Sequence, residues 1–474
     1  MKKITALSIL LFFIQWSYAQ KGADKAINGI EKQQAEYADI AMKIWNLAEV
    51  GYQEVESSKL LKENLKAEGF TIEENVAGIP TAFIASYGTG KPVIGILGEF
   101  DALPGISQKA VPHKDPLVEG GAGHACGHHL FGTASVAAAV AIKDWLKVNK
   151  GKGTIRFYGT PAEEGGSGKV YMVREGLFED VDAVINWHPG NVNSANQGTT
   201  LANKTGKFRF YGVSSHAAGA PERGRSALDA VEAMNMMVNM MREHTTDGTR
   251  IHYVITKGGS APNVVPDYAE VYYYVRHIDN AEVLSLWNRL ENAAKGAALG
   301  TDTEVKIEVI GGVYSLLPNI TLGKVMYESL KKVGGYTYTN EEKEFATKIS
   351  ETLNKNALPL NMTESIVPFE KREGKGSTDV GDVSWTVPTV GLSTATWVPG
   401  TSAHSWQAVA AGGTTIGIKG MMMAAKAMAL TGITLFSDPA ILDEAKKEFD
   451  KKRGPDFQYT PMLGDRKPAL DYRN

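Results

Sequence analysis

Three short apolar runs rich in β-branched residues each open onto acids or a histidine, and this pattern restricts the fold more than any other feature of the chain. Residues 93–97 lead into Gly98-Glu99-Phe100-Asp101, residues 154–158 into a turn containing Pro161-Ala162-Glu163-Glu164-Gly165-Gly166, and residues 183–187 into His188-Pro189-Gly190. Such runs, alternating with helical stretches like 25–49 and 56–68, predict an α/β sheet. Ligand sites in open α/β sheets lie beyond the carboxyl ends of the strands. The chemistry is therefore expected along one edge.

Between residues 204 and 316 the pattern changes. A strand at 207–213, a helix at 226–243, strands at 251–256 and 269–276, a helix at 281–298 and a strand at 304–310 spell β-α-β-β-α-β, the split motif of ferredoxin-like domains. After Pro318 the α/β pattern resumes, with helices through residue 351, a strand at 387–393 and a helix at 408–431. The reading is a main domain built from 20–203 and 317–474, interrupted by a small α+β domain at 204–316. The methionines at 234–241 and 421–423 read as packing material.

The first nineteen residues stand apart. Lys2-Lys3 precede an apolar run at 4–16, and Ser17-Tyr18-Ala19 offers a small-x-small cleavage pattern before Gln20. This predicts a secretion signal over 1–19 and residence in the periplasm or outside the cell, with no membrane association after cleavage. No later segment is read as a membrane span. A net charge of -3 with 22% charged residues leaves no basic stripe, which argues against nucleic-acid binding. Gly168-Lys169 lacks the upstream glycine of a P-loop, and Gly166-Ser167-Gly168 does not match a nucleophile elbow.

Cys126 is the sole cysteine, set in Gly121-Ala122-Gly123-His124-Ala125-Cys126-Gly127-His128-His129. A lone thiol makes no intrachain disulfide, and its place among histidines points to metal ligation. Thiolate and imidazole suit zinc best, with manganese, cobalt or nickel as alternatives. Amide hydrolysis needs an activated water, a base and charge facing the oxyanion. Cys126, His128, Glu164, His188 and His404 offer donors for two divalent ions, and Glu163 could face the water between them. Taken alone, without the other segments, Glu163-Glu164 reads as an exposed acidic turn. Asp101 suits orienting a histidine better than ligating a metal.

In motif order, the chain resembles the dinuclear metallopeptidases of the aminoacylase and carboxypeptidase type, in the branch of hippurate hydrolase and the indole-acetyl-amino-acid hydrolases. The motifs are Glu99-Phe100-Asp101-Ala102-Leu103-Pro104, His124-Ala125-Cys126-Gly127-His128, Pro161-Ala162-Glu163-Glu164, Trp187-His188-Pro189, Ser215-His216-Ala217-Ala218, Asn263-Val264-Val265-Pro266-Asp267 and Ala403-His404-Ser405-Trp406-Gln407. The resemblance implies a zinc-exopeptidase-like three-layer α/β domain with an inserted dimerisation, or lid, domain. It implies metals held by Cys126, His128, Glu164, His188 and His404, with Glu163 as base and acid and Asp101 in support. His216 would reach the partner subunit's site in a homodimer, and Asn263 and Arg276 would lie near the substrate, although Arg276 reads as well as a strand-end surface residue. The implied substrate is an N-acyl or N-aroyl amino acid, p-aminobenzoyl-glutamate first, with hippurate, other N-acyl amino acids or dipeptides as alternatives, and a related second subunit as a further partner. A binding protein that keeps the fold without catalysis is the other class considered, and it would be expected to lack Glu163. Two departures stand out: His129 replaces the aspartate usual after Cys-Gly-His, and Glu99 occupies a position where the wider family places histidine.

Overall fold

The computed structural model describes residues 22–149 and 152–473, so the secretion signal read at 1–19 lies outside the described residues. Strands β1 (Thr71–Glu74), β2 (Phe83–Thr89), β3 (Val93–Gly98), β4 (Gly153–Gly159) and β5 (Ala183–Gly190) come first. The chain then passes through the short β6 (Gly198–Thr199) into β7 (Ala202–Tyr211), β8 (Arg250–Lys257), β9 (Tyr268–His277) and β10 (Glu304–Val313). It returns through β11 (Arg372–Glu373) and β12 (Thr389–Ala395).

The main sheet has the order β1-β2-β4-β3-β5-β12. Its members β4, β3, β5 and β12 are mutually parallel, whereas β2 and β1 are antiparallel additions at one edge. Every residue of β3 is buried, as expected for a strand covered on both faces. On one face lie the helices His128–Asn149 and Thr415–Ser437, which pack against each other and against the sheet. The other face is covered by a second apolar cluster that includes Leu97, Tyr158, Val170, Phe178 and Val383. Each large side chain buried in these layers stabilises by roughly 1.5–3 kcal/mol. The result is the expected three-layer α/β domain, with the carboxyl ends of β3, β4, β5 and β12 along one edge.

The second sheet, in the order β10-β7-β9-β8, is antiparallel throughout. Helices Ala227–Met241 and Asn280–Thr301 pack together and bury Phe208, Val231, Trp287 and Leu290 in a core of their own. Both helices start on side-chain caps: Ser226 accepts from the Asp229 amide at 3.1 Å and Asp279 from the Ala281 amide at 2.8 Å. The inserted unit is the ferredoxin-like α+β domain read from the sequence.

Four details differ from the sequence reading. The helix expected at 408–431 is two helices, Trp406–Gly412 and Thr415–Ser437, broken where a Cβ on Gly413 would lie 2.7 Å from the Trp45 ring. Thr415–Ser437 is also long and apolar enough to cross a membrane, contrary to the absence of such a segment read above, and 83% of its most apolar window is buried inside the fold. The helix at 25–49 is interrupted at Gln33 and ends at Leu47, where Ala48 takes a left-handed conformation. Strands β1 and β2 were not anticipated.

Candidate active site

The five donor side chains expected from the sequence converge on the carboxyl edge of the main sheet. Asp101, just beyond β3, is buried and has two tasks. Its Oδ1 lies 2.8 Å from His128 Nδ1, and its Oδ2 accepts from the Glu164 amide at 2.9 Å. A carboxylate accepts, so Nδ1 carries a proton and Nε2 is the atom that His128 turns toward the site. His128 opens its helix directly after Gly127, whose φ of 76° is left-handed and whose Cβ, if present, would lie 2.7 Å from Pro189. Glycine therefore lets the helix start press against the end of β5.

His188, near the end of β5, donates from Nδ1 to the Pro189 carbonyl at 2.7 Å, leaving Nε2 facing Cys126 Sγ at 3.4 Å. The segment after β4 turns sharply through Ala162, at a left-handed φ of 57°. It is tied by Glu54, which accepts from the Ala162 amide at 2.8 Å, and by Tyr52, which donates to the Gly166 carbonyl at 2.8 Å. This geometry aims both glutamates at one space. His404, also left-handed at φ 59°, anchors its amide on the Ala125 carbonyl at 3.0 Å and brings Nε2 to 3.2 Å from Glu164 Oε1.

Ligand atoms of Cys126, His128 and His188 lie within 4.8 Å of one another, as do those of Cys126, Glu164 and His404, and those of Glu99, His128 and Glu163. Cys126 belongs to the first two sets. Glu99 Oε2, His128 Nε2 and Glu164 Oε1 are buried without a hydrogen-bond partner, although each has an oppositely charged neighbour within about 3.2 Å. No hydrogen bond claims these atoms, and His128 can offer its Nε2 lone pair to a cation once that nitrogen has lost its proton. A soft thiol, imidazoles and carboxylates that outnumber the neighbouring Lys169 make a donor set that fits divalent cations.

The electrostatics separate the two glutamates. Burial raises the Glu163 pKa well above the carboxylate range, and Glu99 and Glu164 push it further. Burial also opposes ionisation of Glu164, but His404 and His128 outweigh it and hold that group below its ordinary value. Burial disfavours the charged His128, yet Asp101 and Glu99 overcome the cost and raise its pKa. His188, by contrast, is pushed down to about 4 by burial and by His128. Burial keeps the Cys126 thiol protonated, so thiolate formation there calls for an adjacent cation.

Sequence reasoning missed Lys169, Asp379 and Glu54. Lys169 is fully buried, with Nζ 2.7 Å from both Glu99 Oε1 and Asp379 Oδ1. Glu99 is thereby clamped between a lysine and His128. A lysine among Val170-Tyr171-Met172-Val173 was the available signal. His124 and His129, also without a role in the sequence reading, are buried beside each other and bond the carbonyls of Ile44 and Gly412.

The single chain does not bring His216, Asn263 or Arg276 to this cluster. His216 and Asn263 meet on an exposed loop of the inserted domain, where the Ala217 amide donates to the Asn263 carbonyl at 3.0 Å. The His216 Nδ1 accepts from the Gly219 amide at 3.0 Å, which leaves Nε2 outward. The Arg276 guanidinium sits 5.3 Å from the Tyr274 ring centre on β9. A cavity of about 400 Å³ opens from Cys126, Glu163, Glu164, His188 and His404 toward β5, β12 and residues 316–318, and none of the three lines it.

Residues 202–302 match a model of the peptidase dimerisation domain. Over 448 residues the chain is 42% identical to one of the subunits of the p-aminobenzoyl-glutamate hydrolase of Escherichia coli, covering 89% of this chain and 93% of that protein. It is 30% identical to the Xaa-Arg dipeptidase of Mus musculus, over 90% of this chain and 92% of the relative. A dinuclear metal-binding peptidase of the M20 family from Bacillus subtilis shares the fold with a TM-score of 0.60 at 18% identity, over 86% of this chain and 99% of that one. The chain belongs to the M20 family of peptidases and amidohydrolases and is an enzyme of that family.

Proposed function

We propose that this enzyme hydrolyses the amide bond between an aroyl or acyl group and an amino acid, with p-aminobenzoyl-glutamate as the first candidate. The convergence of Cys126, His128, Glu164, His188 and His404 beside Glu163 carries this reading. The likeness to a p-aminobenzoyl-glutamate hydrolase supports the substrate.

Cys126, His128 and His188 would hold one divalent cation, and Glu164 and His404, with Cys126 common to both sets, a second. Zinc is the first candidate and manganese the alternative. When bound, the pair supplies Lewis acidity at the scissile carbonyl and lowers the pKa of water. Glu163 takes the proton of the attacking water. Burial, which raises its pKa, favours retention of that proton, and the acid so formed then protonates the departing amine nitrogen. Asp101 keeps the His128 ring and the Glu164 backbone in register throughout.

A homodimer through the inserted domain completes the proposal. β8 is the edge of its sheet, with Tyr253, Val254 and Ile255 exposed, and Met236 and Met240 are exposed on the neighbouring helix. His216 would then serve the partner's site. The Escherichia coli relative is one subunit of its hydrolase, which supports a related second subunit here. Export to the periplasm or beyond rests on residues 1–19 alone.

The test is a screen of purified, metal-reconstituted protein against p-aminobenzoyl-glutamate, hippurate, acetylated amino acids and dipeptides, read as free amino acid. Release from p-aminobenzoyl-glutamate that vanishes on chelation supports the reading. Release from dipeptides alone replaces it with the dipeptidase activity named for the Mus musculus relative.

A further inference from the structure

The cavity beside the cluster has a floor made from two neighbouring strands. Asn186 and His188 are two residues apart on β5, so they share a face about 7 Å apart. Across the ladder, Gly391 of β12 pairs with Asn186 and Ser393 with His188. All four line the cavity. A Cβ on Gly391 would lie 2.2 Å from Asn186 Oδ1, so the glycine is what allows the amide to lie across the adjacent strand. The Asn186 side chain has no hydrogen-bond partner among the described residues. By contrast, nearby Gln197 donates to the carbonyls of Ala195 and Gly391, and Ser377 to that of Leu201.

The charge of the cavity is equally selective. No lysine or arginine lines it among the described residues, whereas Glu99, Glu163 and Glu164 do. Beyond the cluster, where the proposed cations would offset Glu99, Glu163 and Glu164, a substrate carboxylate beside Asn186 would lose its hydration without gaining a lysine or arginine as counter-ion. An uncharged ring meets no such cost, and Leu316, Leu317 and Phe131 give it apolar walls. The volume of about 400 Å³ is at the small end of ligand pockets and suits a single substituted ring beside the scissile amide.

We propose that Asn186 is the specificity-determining residue of an acyl pocket: it reads an uncharged hydrogen-bonding substituent, such as an aromatic amine, at the far end of an aroyl group. This rests on the amidohydrolase reading above and fixes the orientation of the substrate. The aroyl ring enters between β5 and β12, and the carboxylates of the amino acid point away, toward the inserted domain. The amine donates to Asn186 Oδ1, which no other group claims. Gly391 sets where that oxygen sits.

The experiment compares p-aminobenzoyl-glutamate with benzoyl-glutamate as substrates, and p-aminobenzoate with benzoate as calorimetric ligands, in the native protein, Asn186→Leu and Gly391→Ala. The native protein is expected to prefer the amino-substituted member of each pair by about 10-fold, the worth of one well-placed hydrogen bond. Both variants should bring the ratio close to one, Gly391→Ala doing so by displacing an amide it does not replace. Folding is checked by thermal melting, and Asn186→Asp, which keeps an acceptor oxygen, should restore part of the preference. Native ratios near one in both assays, or a preference that survives Asn186→Leu, would overturn the proposal. Because the ligand assay needs no turnover, a preference for p-aminobenzoate lost in Asn186→Leu would uphold the pocket even in a protein that hydrolyses neither substrate.

Discussion

The phenol of Tyr472 donates to the backbone carbonyl of Glu164 at 3.1 Å, across 308 residues of chain, and the Arg473 guanidinium donates to the same oxygen. The segment that carries them also touches the inserted domain, where Met462 enters the core and Arg466 bonds the Val309 carbonyl at 2.7 Å. One strap thus links the domain junction to the turn bearing both glutamates. Tyr472→Phe should lower kcat about 5-fold with little change in KM, since one hydrogen bond of roughly 1 kcal/mol steadies the turn of the proposed base rather than the substrate. Gly51→Ala should do the same from the other side, because its Cβ would lie 2.1 Å from the Tyr472 hydroxyl. Steady-state kinetics on the best substrate of the screen would check both, and a rise in KM alone would refute the positioning role.

Asp101→Asn tests the support of the proposed metal ligands. An amide can keep one of the two contacts that Asp101 makes, to His128 and to the Glu164 amide, but it cannot offer charge to the imidazole. Loss of such a partner costs typically 10- to 100-fold in metal affinity. Competition against a chromophoric chelator should show a loss of that size. Unchanged affinity would place Asp101 outside the support of the site.

Lys169→Met removes the cation held between Glu99 and Asp379. Both carboxylates stay buried, and each is 1% exposed or less on its side chain. Removing one partner of a buried pair costs about 3–5 kcal/mol, because the remaining charge has no solvent to turn to. Denaturant unfolding should show a drop in that range. Adding Asp379→Asn should recover part of it, because one of the stranded charges is then gone.

How much of this was legible in the sequence depended on range. The acids and histidines at the ends of β3, β4 and β5 announced themselves, because turn residues and strand ends are local signals. The ferredoxin-like order of the inserted domain followed from the same alternation. Lys169 did not, because its meaning lies in Asp379, 210 residues away, and the apolar run beside it hints at burial without naming the partner. Tyr472 was hidden for the same reason. The break near Gly413 was missed because it answers to Trp45, far away in the chain, rather than to its own neighbours.

Glu54 gives the fold a predictable response to pH. Burial, with the Asp101 charge nearby, raises its pKa to about 8. Between the ordinary carboxylate value and that point the folded state holds a proton that the unfolded chain has lost. The contribution of Glu54 to stability is therefore complete below the ordinary value and disappears as pH rises through about 8. Glu54→Gln keeps an acceptor for the Ala162 amide and carries no titrating proton. Urea midpoints of the metal-free protein measured from about pH 5 to 8, a range set by that shift, should decline less steeply for Glu54→Gln than for the native chain. Parallel curves would remove Glu54 as the cause.

The inserted domain offers a test of shared sites that does not depend on the exact substrate. His216 lies on an exposed loop and does not line the cavity of its own chain. If it serves the partner, His216→Ala and Glu163→Gln each silence every site in their own homodimers, with Glu163→Gln retaining its metals. In a mixed dimer, however, the His216→Ala chain keeps its glutamate and receives the intact histidine of the Glu163→Gln partner. With random exchange half of the dimers are mixed and one site in each is whole, so activity should return to about a quarter of native. Val254→Glu on the exposed edge strand should abolish that recovery by blocking pairing. Native mass spectrometry of the same mixtures, which separates the variants by mass, would show whether subunits had exchanged, and exchange without recovered turnover would confine each site to a single chain.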